Sequence, residues 1–149
     1  MSLPFFSADN VRSAVSMQEA IDAMEIAFST VNNETAVAPL RINMPIFDHD
    51  GHHLSMPAYI KGGKYITIKL INVHKNNPSI GYDLINGVIV AMDAKTGVAV
   101  ALIDGKSVTS LRTGAASGYA TKVLGKKNAR NAVVFGNGVQ AKAQIDAIC

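Results

Sequence analysis

The stretch that most constrains this chain lies near its end. Ala132 to Phe135 is a short apolar run rich in β-branched residues, suited to a buried parallel strand. It runs directly into Gly136-Asn-Gly138-Val-Gln-Ala141, which fits the dinucleotide fingerprint G-x-G-x-x-G/A. In such a turn the first glycine reverses the chain and the second admits a pyrophosphate close to the backbone. The small third residue lets the helix pack on the strand. A helix starting near Val139 would aim its free N–H groups at the phosphates. The plain alternative is a glycine turn with no ligand; the flanking strand and helix patterns argue for the fingerprint.

The remainder of a nucleotide fold does not follow. The sequence ends at Cys149, within that helix, before a second strand and the acidic residue expected about 20 positions on. A βαβ unit takes roughly 30 residues or more. The expectation is therefore the front part of a longer enzyme, inactive and without measurable dinucleotide affinity as these 149 residues alone.

Composition removes several function classes. At 48% hydrophobic and 17% charged, the chain can bury a globular core. Its net charge of +3 comes from scattered rather than striped cations, which argues against nucleic acid. No apolar run is long enough to span a bilayer, and no secretory signal pattern is present. A single cysteine, Cys149, excludes an internal disulfide framework and suits a reducing cytoplasm.

Taken in order, Ala8 to Ser13 reads as a short helix. Ser16-Met-Gln-Glu19 is a capping box opening an amphipathic helix from Met17 to about Thr30. Arg41 to Phe47 and His53 to Tyr59 read as a hairpin around Asp48-His-Asp-Gly51, with Asp-Gly as the turn signal. The acids and histidines there (Asp48, His49, Asp50, His52, His53) raise a metal hypothesis. A solvated hairpin tip is the better reading, and no metal is expected. Tyr65 to Ile71 alternates, with Lys69 on the face of Thr67 and Ile71. Asn72 to Tyr82 reads as a polar loop. Asn86 to Asp93 and Val98 to Ile103 read as a further hairpin, followed by a helix capped by Ser107. That helix carries Arg112 and the small run Gly114 to Gly118, suited to close approach by another backbone or a ligand. Five or six strands are expected in the sheet. Val88, Val90 and Met92 on one face of a strand, and Ile89 and Ala91 on the other, leave both faces apolar.

Several segments together resemble the ornithine cyclodeaminase/mu-crystallin family, which includes NAD(P)-dependent alanine dehydrogenases and ketimine reductases. They are Pro39-Leu-Arg41, Met56-Pro-Ala58, Lys69, Asn76-Asn-Pro78, Asp104-Gly105, Thr109-Ser-Leu-Arg112-Thr-Gly-Ala-Ala-Ser117, Ala120-Thr121 and Gly136-Asn-Gly138-Val-Gln140. The likeness covers nearly the whole chain. It implies an α+β amino-terminal substrate-binding and dimerisation domain over residues 1–128. The first strand and helix start of an α/β Rossmann domain follow over residues 129–149. It also implies a homodimer formed by pairing of the amino-terminal sheets.

The resemblance assigns roles as well. Arg41 and Arg112 would bind a substrate carboxylate, which guanidinium grips in bidentate fashion. Lys69 would contact the substrate and act as the catalytic acid–base group. Arg112, Gly136, Gly138, Val139 and Gln140 would bind NAD or NADP. The substrate would be a small amino or imino acid, with no nucleic-acid or membrane partner. Two departures matter. The glutamate that ornithine cyclodeaminases place two residues before Met-Pro is Leu54 here, and a cofactor-contacting threonine ahead of the Gly87 strand is Leu84. Three functions then compete. The favoured one is reduction of a cyclic imino acid such as 1-pyrroline-2-carboxylate, or interconversion of α-amino and α-imino or keto acids. The others are conversion of ornithine to proline and ammonia, and a non-catalytic crystallin-like binding protein or dimerising fragment.

Overall fold

A computed structural model describes residues 2–149 of the chain. Its elements are β1 (Phe5–Phe6), α1 (Ala8–Ala14), α2 (Met17–Asn32), β2 (Ala36–Val37), β3 (Ile42–Ile46), β4 (Gly51–Ile60), β5 (Tyr65–His74), β6 (Ile85–Asp93), β7 (Ala99–Asp104), α3 (Gly105–Leu124) and α4 (Val139–Ile148). Seven strands form one sheet in the order β1-β7-β6-β5-β4-β2, with β3 also paired to β4. That is more than the five or six expected, because the two-residue strands β1 and β2 leave too short a pattern to read. Apart from the parallel β1–β7 pair, all neighbours are antiparallel.

Register assigns each residue to a face. Ile71 lies opposite Leu54 on β4 and Gly87 on β6, and Ala91 lies opposite both Thr67 and Ala101. Directly paired residues share a face, so Leu54, Thr67, Lys69, Ile71, Gly87, Ala91 and Ala101 point one way. This is the helix side. A Cβ built on Gly105, the first residue of α3, would lie 2.8 Å from the Gly87 backbone, so the helix start rests on β6. The well-buried apolar residues of the sheet, Ile71, Ala91 and Ala101, all lie on that side. Behind it, Ala20 and Ile21 of α2 pack on Ala115 of α3, which is fully buried. The other face presents Ile66, Ile68, Leu70, Val88, Val90 and Met92, each partly buried, and Met44 at its edge is half exposed.

The small residues of α3 serve close packing. A Cβ on Gly114 would come within 2.7 Å of the Ala143 carbonyl carbon in α4, and one on Gly118 within 2.9 Å of the Ala147 carbonyl oxygen. The approaching backbone is therefore α4, lying along α3.

Four local expectations need correction. The β3–β4 connection is a 3-10 turn over Phe47–His49 that ends on left-handed Asp50 (φ 46°), not a two-residue Asp-Gly turn. Gly51 already belongs to β4, where a Cβ would collide with the His74 ring at 2.7 Å. The supposed loop from Asn72 is shorter than expected, since β5 continues to His74 and a 3-10 turn occupies Asn77–Ile80. Asp104, not Ser107, caps α3: its carboxylate accepts the Ser107 backbone N–H at 2.7 Å. Finally, Ala132 to Phe135 forms no strand. Strand geometry is held by ladder hydrogen bonds to a neighbour, and this segment has none among the described residues. Phe135 is 96% exposed.

Candidate functional site

The site is built on one row across the sheet. Lys69 sits mid-sheet on β5, with Met56 of β4 directly opposite on one side and Ile89 of β6 on the other. On the outer edge of β4, β3 pairs only with Gly51 to Ser55 and β2 only with Tyr59 and Ile60. Pro57 falls in the interval between them, where its missing N–H forfeits no ladder bond on that edge. The chain from Ala38 to Arg41 bridges the same interval. Ile42 pairs with Ser55, so the ladder continued by one residue would set Arg41 opposite Met56. The Pro39-Leu-Arg41 and Met56-Pro-Ala58 segments, 15 residues apart in sequence, thus meet at one sheet edge. With strands about 4.8 Å apart, Arg41 and Lys69 stand roughly 10 Å apart at the backbone. Both side chains are long enough to converge on an anion between them.

Arg112 joins from above, on α3. Its guanidinium lies near enough to Lys69 to act on its charge. The Lys69 ammonium is held below its ordinary value of 10.5, first by desolvation and second by Arg112. Among the described residues, none of the four ion pairs involves Arg41, Lys69 or Arg112. Lys69 itself is flanked on its face by Met56 and Ile89, and Arg41 and Arg112 are both exposed. Leu54, two residues from Met56 on the same face and opposite Ile71, extends those apolar surroundings.

Beside this row lies a cavity of about 500 Å3 between the sheet, α3 and the Gly136–Gln144 segment. Its lining includes Ile71 and Gly87 of the sheet, Leu84 and Ile85 at the start of β6, and Gly136, Gly138 and Gln140. At its rim Lys106 pairs with Asp83 at 2.6 Å, so that lysine is already neutralised. Two of the lining residues carry a polar atom buried without a hydrogen-bond partner, the Thr109 hydroxyl and the Gln140 side-chain carbonyl. Sequence reasoning gave Gln140 a role and Thr109 none. The available signal was spacing, since Thr109 lies three residues before Arg112 and so on the same helix face.

The glycine turn has a geometry of its own. Gly136 adopts φ +93°, open to glycine and costly for other residues. Gly138 does not: at φ −71° and ψ −176° any residue fits, and a Cβ there would meet nothing within 4 Å. Nothing within the chain requires glycine at 138. Gly138 also caps α4 without any side-chain hydrogen bond, leaving the first N–H groups of that helix for another acceptor. A pyrophosphate satisfies both observations, so the residues present fit the phosphates of a dinucleotide.

The acidic and histidine-rich hairpin tip does not assemble. His52 and His53 are consecutive strand residues and point to opposite faces. His53 engages Asn72 at 3.0 Å and Asp50 engages Lys75 at 3.1 Å. Among the described residues no group of three or more His, Cys, Asp or Glu is placed to hold a metal ion.

Residues 4–149 match the model of the ornithine cyclodeaminase/mu-crystallin family. The Delta(1)-pyrroline-2-carboxylate reductase of Bacillus cereus is 34% identical over 142 residues, which is 95% of this chain and 44% of that protein. The chain thus spans less than half the length of the curated relatives it matches. The structure of Thermococcus litoralis Delta(1)-pyrroline-2-carboxylate reductase with NADH and L-proline superposes with a TM-score of 0.90. It is 35% identical, covering 99% of this chain and 46% of that one. An archaeal alanine dehydrogenase dimer with bound NAD superposes at 0.87 with 33% identity, over 99% of this chain and 45% of that one.

Proposed function

The chain belongs to the ornithine cyclodeaminase/mu-crystallin family, and from that premise we propose that its protein is an NAD(P)H-dependent reductase of small imino acids. The preferred substrate is a cyclic imino carboxylate such as 1-pyrroline-2-carboxylate. Residues 1–128 form the substrate-binding and dimerisation domain in this reading, and residues 129–149 begin the cofactor domain. One observation carries it: Lys69, mid-sheet between Met56 and Ile89, has its proton affinity lowered by burial and by Arg112, and among the described residues neither it, Arg112 nor Arg41 has an acidic partner. An α-imino acid supplies the missing carboxylate, and its ring carbons match Met56, Ile89 and Leu54.

Each residue then has a task. Arg41 and Arg112 grip the carboxylate and fix its plane. Their grip holds the imine carbon at the near-attack distance of about 3–3.5 Å that hydride transfer needs. Lys69, with its lowered proton affinity, holds and delivers a proton at the substrate nitrogen. Gly136, Gly138, Val139 and Gln140 cradle the cofactor phosphates, and Arg112 stands between cofactor and substrate. When bound, the reduced nicotinamide supplies the hydride. Ligands of relatives support the choice, since the Thermococcus enzyme binds NADH and L-proline, the product class of such a reduction. The lone thiol of Cys149 accords with a cytoplasmic location.

The test is kinetic. The complete gene product is expected to oxidise NADH or NADPH on addition of 1-pyrroline-2-carboxylate, with proline as product. No turnover with any cyclic or acyclic α-imino acid would refute the proposal.

The open sheet face is the proposed dimer interface. Ile66, Ile68, Leu70, Val88, Val90 and Met92 lie side by side on that face, an apolar row suited to a second copy of the sheet. The chain should sediment at twice its 15.7 kDa, and Val90→Lys, mid-face on β6, should give a monomer. A monomeric wild type at tens of micromolar would exclude this interface.

A further inference from the structure

We propose that Thr109 binds the nicotinamide half of the dinucleotide, through a hydrogen-bonded group shared with the Gln140 side chain. The inference rests on the cofactor reading above and adds a residue and a ligand moiety to it.

Helical threonines usually settle their hydroxyl on the carbonyl four residues back. Thr113 does so in this helix, donating to the Thr109 carbonyl at 2.6 Å. Thr109 has the same option toward Gly105 and does not take it. Its Oγ1 is buried and has no partner, and Thr109 is one of the residues that line the cavity. Gln140, on the first turn of α4, lines the same cavity, and its Oε1 is also buried without a partner. A buried hydroxyl or amide left unpaired is destabilising, so such atoms in native proteins point to something they await. Two of them on different helices lining one cavity specify a group that fits between.

The chemistry of the pair narrows that group. A carbonyl oxygen only accepts, so Gln140 needs a donor. Thr109 donates or accepts. Phosphate oxygens at neutral pH offer acceptors alone and would leave Gln140 unsatisfied. A carboxamide, or a ribose bearing hydroxyls, satisfies both. Position narrows it further. The cavity runs from the Gly136–Gly138 turn to Ile71 and Gly87 on the sheet. Ile71 follows Lys69 by two residues on the same face, about 6.6 Å along the strand. The part of a dinucleotide reaching from the phosphate turn toward the acid–base lysine is the nicotinamide riboside. The rim contributes no free cation, because Lys106 is paired with Asp83.

The experiment compares wild type, Thr109→Val and Thr109→Ser in the complete gene product. Dissociation constants are measured for the reduced dinucleotide, ADP-ribose and ADP, and melting temperature is measured without ligand. Valine keeps the shape and removes the hydroxyl. It should weaken the reduced dinucleotide by about three- to tenfold, leave ADP unchanged, and leave the ligand-free melting temperature equal or higher. Serine should restore near-wild-type affinity. A loss shared by ADP-ribose assigns the ribose hydroxyls as the bound group, and a loss confined to the full dinucleotide assigns the carboxamide. Three results would overturn the inference: unchanged dinucleotide affinity in Thr109→Val, an equal loss for ADP, or a lowered melting temperature in the ligand-free variant. A wild type that binds no dinucleotide removes the proposed function and this inference together, whereas binding that ignores Thr109 removes the inference alone.

Discussion

Lys69→Met should lower kcat/KM for imine reduction by about two to four orders of magnitude, the span general acid–base groups supply, while making the ligand-free protein more stable. Both effects come from the same surroundings. The ammonium is partly desolvated, faces Met56 and Ile89, and feels the like charge of Arg112. The unfolded chain therefore holds this proton more tightly than the folded one. By linkage, wild-type stability rises with pH between the lowered folded value and the ordinary 10.5. Methionine keeps the stem, removes the charge and should flatten that rise. Thermal melts across alkaline pH, run beside steady-state kinetics, check both halves. A Lys69→Met protein that melts lower than wild type, or still turns over normally, contradicts the assignment.

Substrate choice should turn on Leu54. It lies on the helix-side face of β4, opposite Ile71 and two residues from Met56, next to the Lys69 row. A diamine such as ornithine would bring its distal ammonium to a site with no carboxylate. An unpaired buried charge costs about 3–5 kcal/mol, or two to four orders of magnitude in affinity. A five- or six-membered cyclic imino acid has no second charge and meets the leucine with ring carbons. The expected result is a kcat/KM for 1-pyrroline-2-carboxylate far above that for ornithine deamination. Leu54→Glu should narrow the gap by weakening the first reaction and admitting the second substrate. Equal efficiency of the wild type toward both would sink the argument from Leu54.

Much of this was legible in the sequence because the signals are local. The Ser16–Glu19 capping box forms as written, with the Glu19 carboxylate accepting the Ser16 N–H at 2.8 Å. The alternation of Tyr65 to Ile71 puts Lys69 on the helix side with Ile71, as its parity requires. Long-range features were harder. Gly51 looked like turn chemistry, but its glycine is explained by the His74 ring, 23 positions away. The capping role passed from Ser107 to Asp104 because a strand end and a helix start share that residue, and pattern alone does not say which side chain turns inward. The run before Gly136 has strand composition, yet a strand exists only with a partner. The roles of Arg41, Lys69 and Arg112 came from resemblance; periodicity gave only their faces. What the fold adds is that all three cations are without acidic partners among the described residues.

The interval on the outer edge of β4 also bears on how such a protein diversifies. Arg41 is delivered by a short connection across a gap that the ladder already leaves open, with Pro57 beneath it. Lys69 is locked in mid-sheet and Arg112 in a helix packed on both sides. One grip of the three is therefore hung on a segment whose length and composition can drift without disturbing core pairing. A change of chain reach at residues 38–41 would re-space the proposed anion grip while leaving the strand pairing on either side intact. In the proposed reading, reach toward the substrate is then set at the sheet edge and the acid–base lysine is set at its centre.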